Sequence, residues 1–430
     1  MVRQDPVTTV GAQRARRALL GPSPSLRYGG PAALTAAVTL YLAEFMRWPG
    51  FVTQIDAMVY RFGGYRVLQG LELYSTGIFG SHRVLLFTYT PFAALCFTPL
   101  SPMSLPWLRA LSLAAAAALL AYVVQRMLAA LDMPSRRHWW TLTALLVGLC
   151  LWVEPVRYSI QLGQINLVIL AVVVADLLGS PERKWAGVGI GLVAGIKLTP
   201  AIFLIYLVLI GRRRAGLVGT ATFLATVVLG FAVLPTDSAT YWLGGKFDNP
   251  QRVSPDPTVS SSVRGLFLRL HFPVGVATAV ALSLALLCLV VAVLAWRRGH
   301  RVLGLSVVGM ASAASSPFSW SHHWVWLVAL VVHLGYHGYV LGSRLALWAM
   351  RPLWVLTAGW LIVPRGRLPV SGLVAWRPGG LWNALLPSGY LLVVLVVAIA
   401  SAMWLRRDAA GPDSAPPPVG PVERGLVQQD

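Results

Sequence analysis

Apolar residues in this chain come in long unbroken runs rather than in alternation. The runs fall near residues 31–48, 86–101, 106–131, 139–155, 164–180, 185–211, 215–234, 273–296, 301–316, 323–342, 346–363 and 385–405. A helix needs about 17–25 apolar residues to cross a hydrocarbon core of roughly 30 Å, and most of these runs have that length. The pattern predicts an all-α integral membrane protein.

The basic residues decide which runs cross. They cluster at Arg126/Arg136/Arg137, Arg183/Lys184, Arg212/Arg213/Arg214, Arg297/Arg298/Arg301, Arg344/Arg351 and Arg406/Arg407, and in the N-terminal segment at Arg14, Arg16, Arg17 and Arg27. Short basic loops belong on the cytoplasmic side. One face holds them all on two conditions. The run 86–101 must lie along the membrane as a juxtamembrane or re-entrant helix. The run 185–211 must be two short spans that turn at KLTP (197–200), where Pro200 helps to end the helix. The expectation is about twelve transmembrane helices with both termini inside. Residues 1–28 form a basic cytoplasmic segment, 29–405 the polytopic domain, and 406–430 a disordered tail rich in Pro, Gly and charge. The first apolar run is expected to be retained, because no cleavage-site pattern leads into a soluble domain.

This topology puts almost every polar, non-basic stretch outside: QIDAMVYRFGG (54–64), FTYTP (87–91), EPVRYSIQLGQIN (154–166), KLTP, VSSSVRG (259–265) and SPFSWSHHW (316–324). Arg61, Arg66, Lys246 and Arg252 also fall in outer loops, where length weakens the charge rule. Composition narrows the classes. Of 430 residues 57% are hydrophobic and 12% charged, which excludes a soluble protein. The net charge of +20 is dispersed among short loops, so it reads as topology and not as a nucleic-acid surface. Cys96, Cys150 and Cys288 lie within apolar runs and read as packing residues. The tryptophans suit interfacial belts.

The outward polar stretches carry the candidate chemistry. Asp56 is either a general base in a partly dry cleft, accepting a proton from a hydroxyl, or an ordinary solvated loop acid. Lys197 sits at a helix break within membrane depth. It either faces a cavity and binds an anion such as a lipid phosphate, or snorkels. Glu154 and Arg157 either pair with each other or, with Gln164 and Asn166, recognise a sugar, which needs groups that donate and accept. His322 and His323 are adjacent and point about 100° apart on a helix, so they do not make an i,i+4 zinc pair. With Trp320, Trp324 and Trp326 they are either an aromatic boundary or a hydrogen-bonding group for a phosphate or sugar. GVGIGLVAG (187–195) lies inside a span, so its glycines serve close helix packing and not a dinucleotide.

In this order DAMVYRFGG, FTYTPFAAL, VEPVRYSIQLGQINLVIL, GLVAGIKLTPAIFLIYL and SPFSWSHHWVWLVAL resemble glycosyltransferase family 87, the actinobacterial polyprenol-phosphate-mannose-dependent α-mannosyltransferases. The resemblance runs from about residue 30 to about residue 405, and the strings are specific jointly. It implies the GT-C fold with an outward-facing catalytic cleft, a plasma-membrane location and a periplasmic catalytic face. It implies mannose transfer from polyprenyl-phosphate-mannose to a mannolipid or lipoglycan (phosphatidylinositol mannoside, lipomannan or lipoarabinomannan), by inversion and to an α-1,2 linkage. Asp56 matches the family's catalytic aspartate. Lys197, Arg264, His322 and His323 are then expected at the donor phosphate, and Tyr89, Glu154, Arg157, Gln164, Asn166 and Trp320 at sugar or acceptor. No metal or other cofactor is expected. Two departures stand out: Thr90 replaces the first proline of the family's FTYPP, and serines at 260–262 replace Asn-Gln-Ser before the Arg-Gly pair. The second departure puts acceptor contacts in doubt and points toward a lipoglycan branch. The rival class is a transporter or lipid-linked sugar flippase, which the KLTP break favours and the lack of repeated halves opposes.

Overall fold

The computed structural model describes residues 24–47, 52–80, 82, 85–133, 136–254, 256–359, 361–362, 370–371 and 381–409. Among the described residues the regular structure is helical, apart from a two-residue antiparallel ladder, Leu361–Ile362 with Val370–Ser371, and a single bridge between Val153 and Ala358. In order come α1 (Pro24–Arg47), α2 (Ile55–Leu68), α3 (Pro91–Phe97), α4 (Leu105–Ala130), α5 (Arg136–Leu151), α6 (Glu154–Leu162), α7 (Asn166–Leu177), α8 (Val188–Ile196), α9 (Ile202–Leu209) and α10 (Arg213–Val233). After a stretch of short turns follow α11 (Val263–Arg269), α12 (Val274–Arg297), α13 (Arg301–Ser315), α14 (Leu327–Gly335), α15 (Arg344–Thr357) and α16 (Gly389–Ala409).

Four helical segments among the described residues are long and apolar enough to cross a bilayer: Leu105–Ala130, Arg213–Val233, Val274–Arg297 and Leu386–Arg406. Their outward residues recur at helical spacing. Leu217, Leu224 and Val228 are exposed on α10, Leu282, Leu286 and Val290 on α12, and Leu392, Val396 and Ile399 on α16. Such stripes suit lipid tails rather than water. Of the other apolar runs, the first lies in the 24-residue α1, and several are shorter helices: α5 has 16 residues, α7 has 12 and α13 has 15. The run 86–101 yields only the seven-residue α3 and a single 3-10 turn, too short to cross. Residues 406–409 of the expected tail continue α16, and α1 begins at Pro24, inside the expected N-terminal segment. Residues 1–23 and 410–430 lie outside the described residues.

The break at KLTP is a chain reversal, and the glycines of α8 show it. A Cβ on Gly187 would sit 1.9 Å from the Ala215 carbonyl oxygen, on Gly191 2.3 Å from that of Gly219, and on Gly195 2.2 Å from the Thr226 hydroxyl. The contacts advance together, so α8 runs parallel to α10 with backbones touching, as the glycine pattern predicts. On α9 the order inverts: Val208 meets Gly216 and Leu204 meets Gly219. Thus α8 and α9 are antiparallel. Lys197 is extended between them, at φ −140° and ψ 124°. Thr226, opposite Gly195, lies about 20 Å along α10 from Arg213.

The basic loops gather at the end away from Lys197. Arg212 donates to the carbonyls of Leu177 (2.5 Å) and Gly179 (2.8 Å), and Arg183 to that of Ala175 (2.9 Å). The guanidiniums of Arg212 and Arg301 lie over the Trp296 ring at 5.9 and 5.4 Å. The loops around residues 180, 212 and 299 therefore share one end. The polar strings share the other.

Candidate active site

Gly163 ends α6 at φ +70°, and a Cβ there would meet the Gln54 amide oxygen at 2.7 Å and the Ala57 methyl at 2.8 Å. Only glycine allows this turn to touch the start of α2. Gln54 closes the contact from the other side: its backbone N–H donates to the Gln161 carbonyl at 2.8 Å and its side-chain amide to that of Ile160. Asp56, in the first turn of α2, is thereby held against the tripeptide Gln164-Ile165-Asn166.

That tripeptide serves two charges. The Gln164 Nε2 donates to Asp56 Oδ2 at 2.5 Å. Its Oε1 accepts from the hydroxyls of Tyr60 (2.9 Å) and Tyr89 (3.2 Å), which fixes the amide's orientation. Two residues on, Asn166 Oδ1 accepts from Lys197 Nζ at 2.9 Å, and its Nδ2 donates to the His322 carbonyl at 2.8 Å. Lys197 Nζ also stands 5.6 Å from the centre of the Tyr89 ring. An acid and an ammonium are thus oriented from one short turn.

Both line one cavity of about 480 Å³, together with Tyr89, Gln164, Trp320, His322 and His323 among the sequence-predicted residues. Tyr60, Tyr158, Asp248 and Arg252 line it too and were not expected there. Burial pushes the half-buried Asp56 carboxyl up to about 6, against the lowering effects of the Gln164 hydrogen bond and the Lys197 charge. A carboxylate in that range is ionised at neutral pH yet basic enough to take a proton. Burial, with Lys197 close by, holds the His322 imidazole well below its usual range. It is neutral, and neither of its ring nitrogens has a partner among the described residues. The backbone N–H of Trp320 donates to His323 Nδ1 at 3.2 Å, so His323 is also a neutral ring, with Nε2 as its donor.

Four of the expected site residues stand elsewhere. Arg264 lies behind Asp248, donating to its carboxylate at 3.1 Å, and does not line the cavity. Arg252 takes the position expected of it. Its guanidinium donates to the carbonyls of Thr88 and, at 3.1 Å, Phe247, and packs over Tyr241 at 5.7 Å. Arg157 is fully buried and pairs with Glu44 of α1, while Glu154 accepts from the Tyr390 hydroxyl of α16. Burial without a lining role makes this pair an anchor for α6. Asn166 orients Lys197 and is not itself part of the main cavity wall. In the sequence Arg252 stands out only as a basic residue on the wrong side for the charge rule, and that exception is its signal.

The two departures from the family strings have local explanations. Thr90 caps α3, accepting from the Ala93 N–H at 3.1 Å, and its hydroxyl donates to the Gly195 carbonyl at 2.5 Å. A proline could do neither. Ser260 and Ser262 are buried; Ser260 accepts from the Ser319 N–H at 2.9 Å, and Ser262 caps α11 through the Gly265 N–H at 3.2 Å. They hold the loop that presents Trp320 and do not face the cavity.

The sequence pattern of glycosyltransferase family 87 matches residues 87–317, more than half of the chain. The chain is 30% identical over 407 residues to the polyprenol-phosphate-mannose-dependent alpha-(1-2)-phosphatidylinositol mannoside mannosyltransferase of Mycolicibacterium smegmatis, covering 86% of this chain and 89% of that one. It is 30% identical over 399 residues to the corresponding phosphatidylinositol pentamannoside mannosyltransferase of the same organism (89% and 92%), and 32% identical over 328 residues to that of Mycobacterium tuberculosis (74% and 73%). No solved structure matches. The family match includes Tyr89, Lys197 and Arg252 but begins after Asp56 and stops before His322.

Proposed function

The chain belongs to glycosyltransferase family 87, and we propose on that footing that it transfers mannose from polyprenyl-phosphate-mannose to a mannolipid or lipoglycan acceptor, forming an α-1,2 linkage with inversion. The donor class and linkage are those named for its relatives. The observation that carries the reading is the arrangement of Asp56, ionised and oriented by Gln164, in the same cavity as Lys197 and Arg252.

The chemistry follows from that arrangement. The acceptor hydroxyl oxygen forms a bond to the mannose anomeric carbon as the bond from that carbon to the phosphate oxygen breaks. Its electron pair leaves on the polyprenyl phosphate. Asp56 takes the hydroxyl proton. Lys197 and Arg252 stabilise the phosphate, with neutral His322 and His323 each able to donate one ring N–H to it. The aromatic walls, Tyr89, Tyr158 and Trp320, suit an oxocarbenium-like transition state flanked by a sugar face.

The reading extends to a GT-C membrane architecture of about twelve crossings. The polar end with the cavity is outside the cytoplasm, since the loops bearing Arg183, Arg212, Arg298 and Arg301 occupy the opposite end. The acceptor is a phosphatidylinositol mannoside, with lipomannan and lipoarabinomannan as the lipoglycan alternatives. The deciding experiment incubates the purified protein with synthetic polyprenyl-phosphate-mannose and a panel of these acceptors, and determines the product linkage by NMR. An α-1,2-mannosylated product is expected. No transfer to any acceptor, with the donor bound intact, would sink the proposal.

A further inference from the structure

We propose that His300, His333 and His337 form a binding site for a single first-row transition cation, zinc above all, at the end of the helical body opposite the cavity. The three residues come from two places. His333 and His337 stand one helical turn apart, where α14 passes into the π-turn Tyr336–Val340. His300 enters from the bend before α13, just after Gly299 at φ +84°.

One ligand-competent nitrogen from each ring lies within 4.8 Å of the other two. The ring centres are 4.3 Å apart for His333 and His337, 5.8 Å for His300 and His337, and 5.9 Å for His300 and His333. Zinc binds imidazole nitrogen at about 2.0–2.1 Å, so tetrahedral ligands sit roughly 3.4 Å from one another. The three nitrogens stand within about 1.4 Å of that spacing. His333 is buried, and its Nδ1 has no hydrogen-bond partner among the described residues. A buried unsatisfied nitrogen on an imidazole that packs beside two other imidazoles is a cost that a metal can remove. An all-nitrogen set of this kind favours zinc, copper or nickel over magnesium or calcium, which take oxygen.

The neighbouring positive charges are turned aside. Arg298 donates to the Leu405 carbonyl at 2.5 Å, and Arg301 lies over Trp296. Trp404 packs 4.5 Å from the His300 ring and 5.8 Å from that of His337, so the C-terminal helix closes one side of the trio. Three protein ligands leave a fourth position for water or an anion. The placement has a mechanical meaning. α13 spans roughly 22 Å from His300 to Ser315, which lines the cavity, and α14 leads back from the His322/His323 turn to His333. A metal here pins together the far ends of two elements whose near ends bear cavity residues.

The test uses the full-length protein without a polyhistidine tag, purified in detergent, stripped with chelator and titrated with Co²⁺ and then Zn²⁺. One Co²⁺ per chain is expected, with the visible absorption of a low-coordinate nitrogen site, displaced stoichiometrically by Zn²⁺. The pair His333→Gln/His337→Gln, and separately His300→Gln at the bend, should weaken binding by at least ~10-fold. His322→Gln/His323→Gln should leave it unchanged. Monodispersity on gel filtration establishes that each variant is folded, and His300→Gln, which alters a partly exposed bend, guards against misfolding of the buried double variant. Absence of a stoichiometric Co²⁺ signal in the wild type, or a signal lost with His322 and His323 and retained without the trio, overturns the proposal. Because the readout is metal occupancy and not mannosyl transfer, its failure is separate from any failure of the enzymatic reading.

Discussion

Replacing Gln164 by leucine keeps the approximate size of the side chain and removes the hydrogen bond that its amide donates to Asp56 in favour of the charged form. A hydrogen bond to an ionised group contributes about 1.5–3 kcal/mol, and 1.36 kcal/mol corresponds to about one pKa unit. The Asp56 carboxyl, at about 6 in the native protein, should then rise to roughly 7–8. The sign is fixed: a base works deprotonated, so raising its pKa moves the acidic limb of the rate profile to higher pH. At pH 7 the ionised fraction falls from about nine-tenths to between about one-half and one-tenth, a loss of roughly 2- to 10-fold, and the loss disappears near pH 9. The assay is kcat/KM against pH with saturating acceptor, on purified protein. The thermal midpoint is measured in parallel, because Tyr60 and Tyr89 lose a shared acceptor. A uniform fall in rate at every pH, with the limb still near 6, would refute the assignment of Gln164 as the group that tunes the base.

Four further outcomes are expected. Asp56→Asn should reduce turnover by at least ~10²-fold while donor binding, measured separately, stays near normal; near-normal transfer would remove Asp56 as base. Lys197→Ala should cost about 2–4 kcal/mol of transition-state stabilisation, roughly 30- to 1,000-fold in kcat/KM, without loss of membrane insertion; unchanged kinetics would return it to a snorkelling lysine. Arg252→Ala should weaken the lipid donor more than Arg264→Ala does, since only Arg252 lines the cavity; the reverse order in donor-binding assays would restore the arginine read from sequence. Cysteines introduced as Arg213→Cys and Gly299→Cys should be labelled only from the cytoplasmic side, and Asp256→Cys only from outside; external labelling at position 213 would undo the hairpin at KLTP.

The helices and the reversal at KLTP were legible because they rest on local rules: apolar run length, proline, and glycine spacing that lets backbones touch. Asp56, Gln164, Lys197 and the histidine pair were legible because polar groups beside apolar runs have few bland explanations. Arg157 and Glu154 deceived for the same reason. Their partners, Glu44 and Tyr390, are 113 and 236 residues away, and no local pattern reports such distances. Arg264 and Arg252 illustrate a finer limit. Both sit between α10 and α12, and the pairing of Arg264 with Asp248 decides which of them faces the cavity. The histidine trio was half legible: His333 and His337 have i,i+4 spacing, but His300 joins them only through the pairing of α13 and α14.

The backbone contact between α8 and α10 works as a ruler. Gly187, Gly191 and Gly195 rest against α10 at three successive marks, each closer than any side chain would permit. Lys197 is the next polar residue past the last mark, so the depth of its ammonium is set by two backbone contacts, Gly187 with Ala215 and Gly191 with Gly219, and by the Thr226 side chain against Gly195. Side-chain packing can give by a few tenths of an ångström; carbonyl against Cα cannot. A single methyl group added at Gly187, at the end of the helix away from the cavity, would therefore shift the whole scale and carry the lysine with it. The placing of Lys197 is thus calibrated by a stretch that does not itself line the cavity.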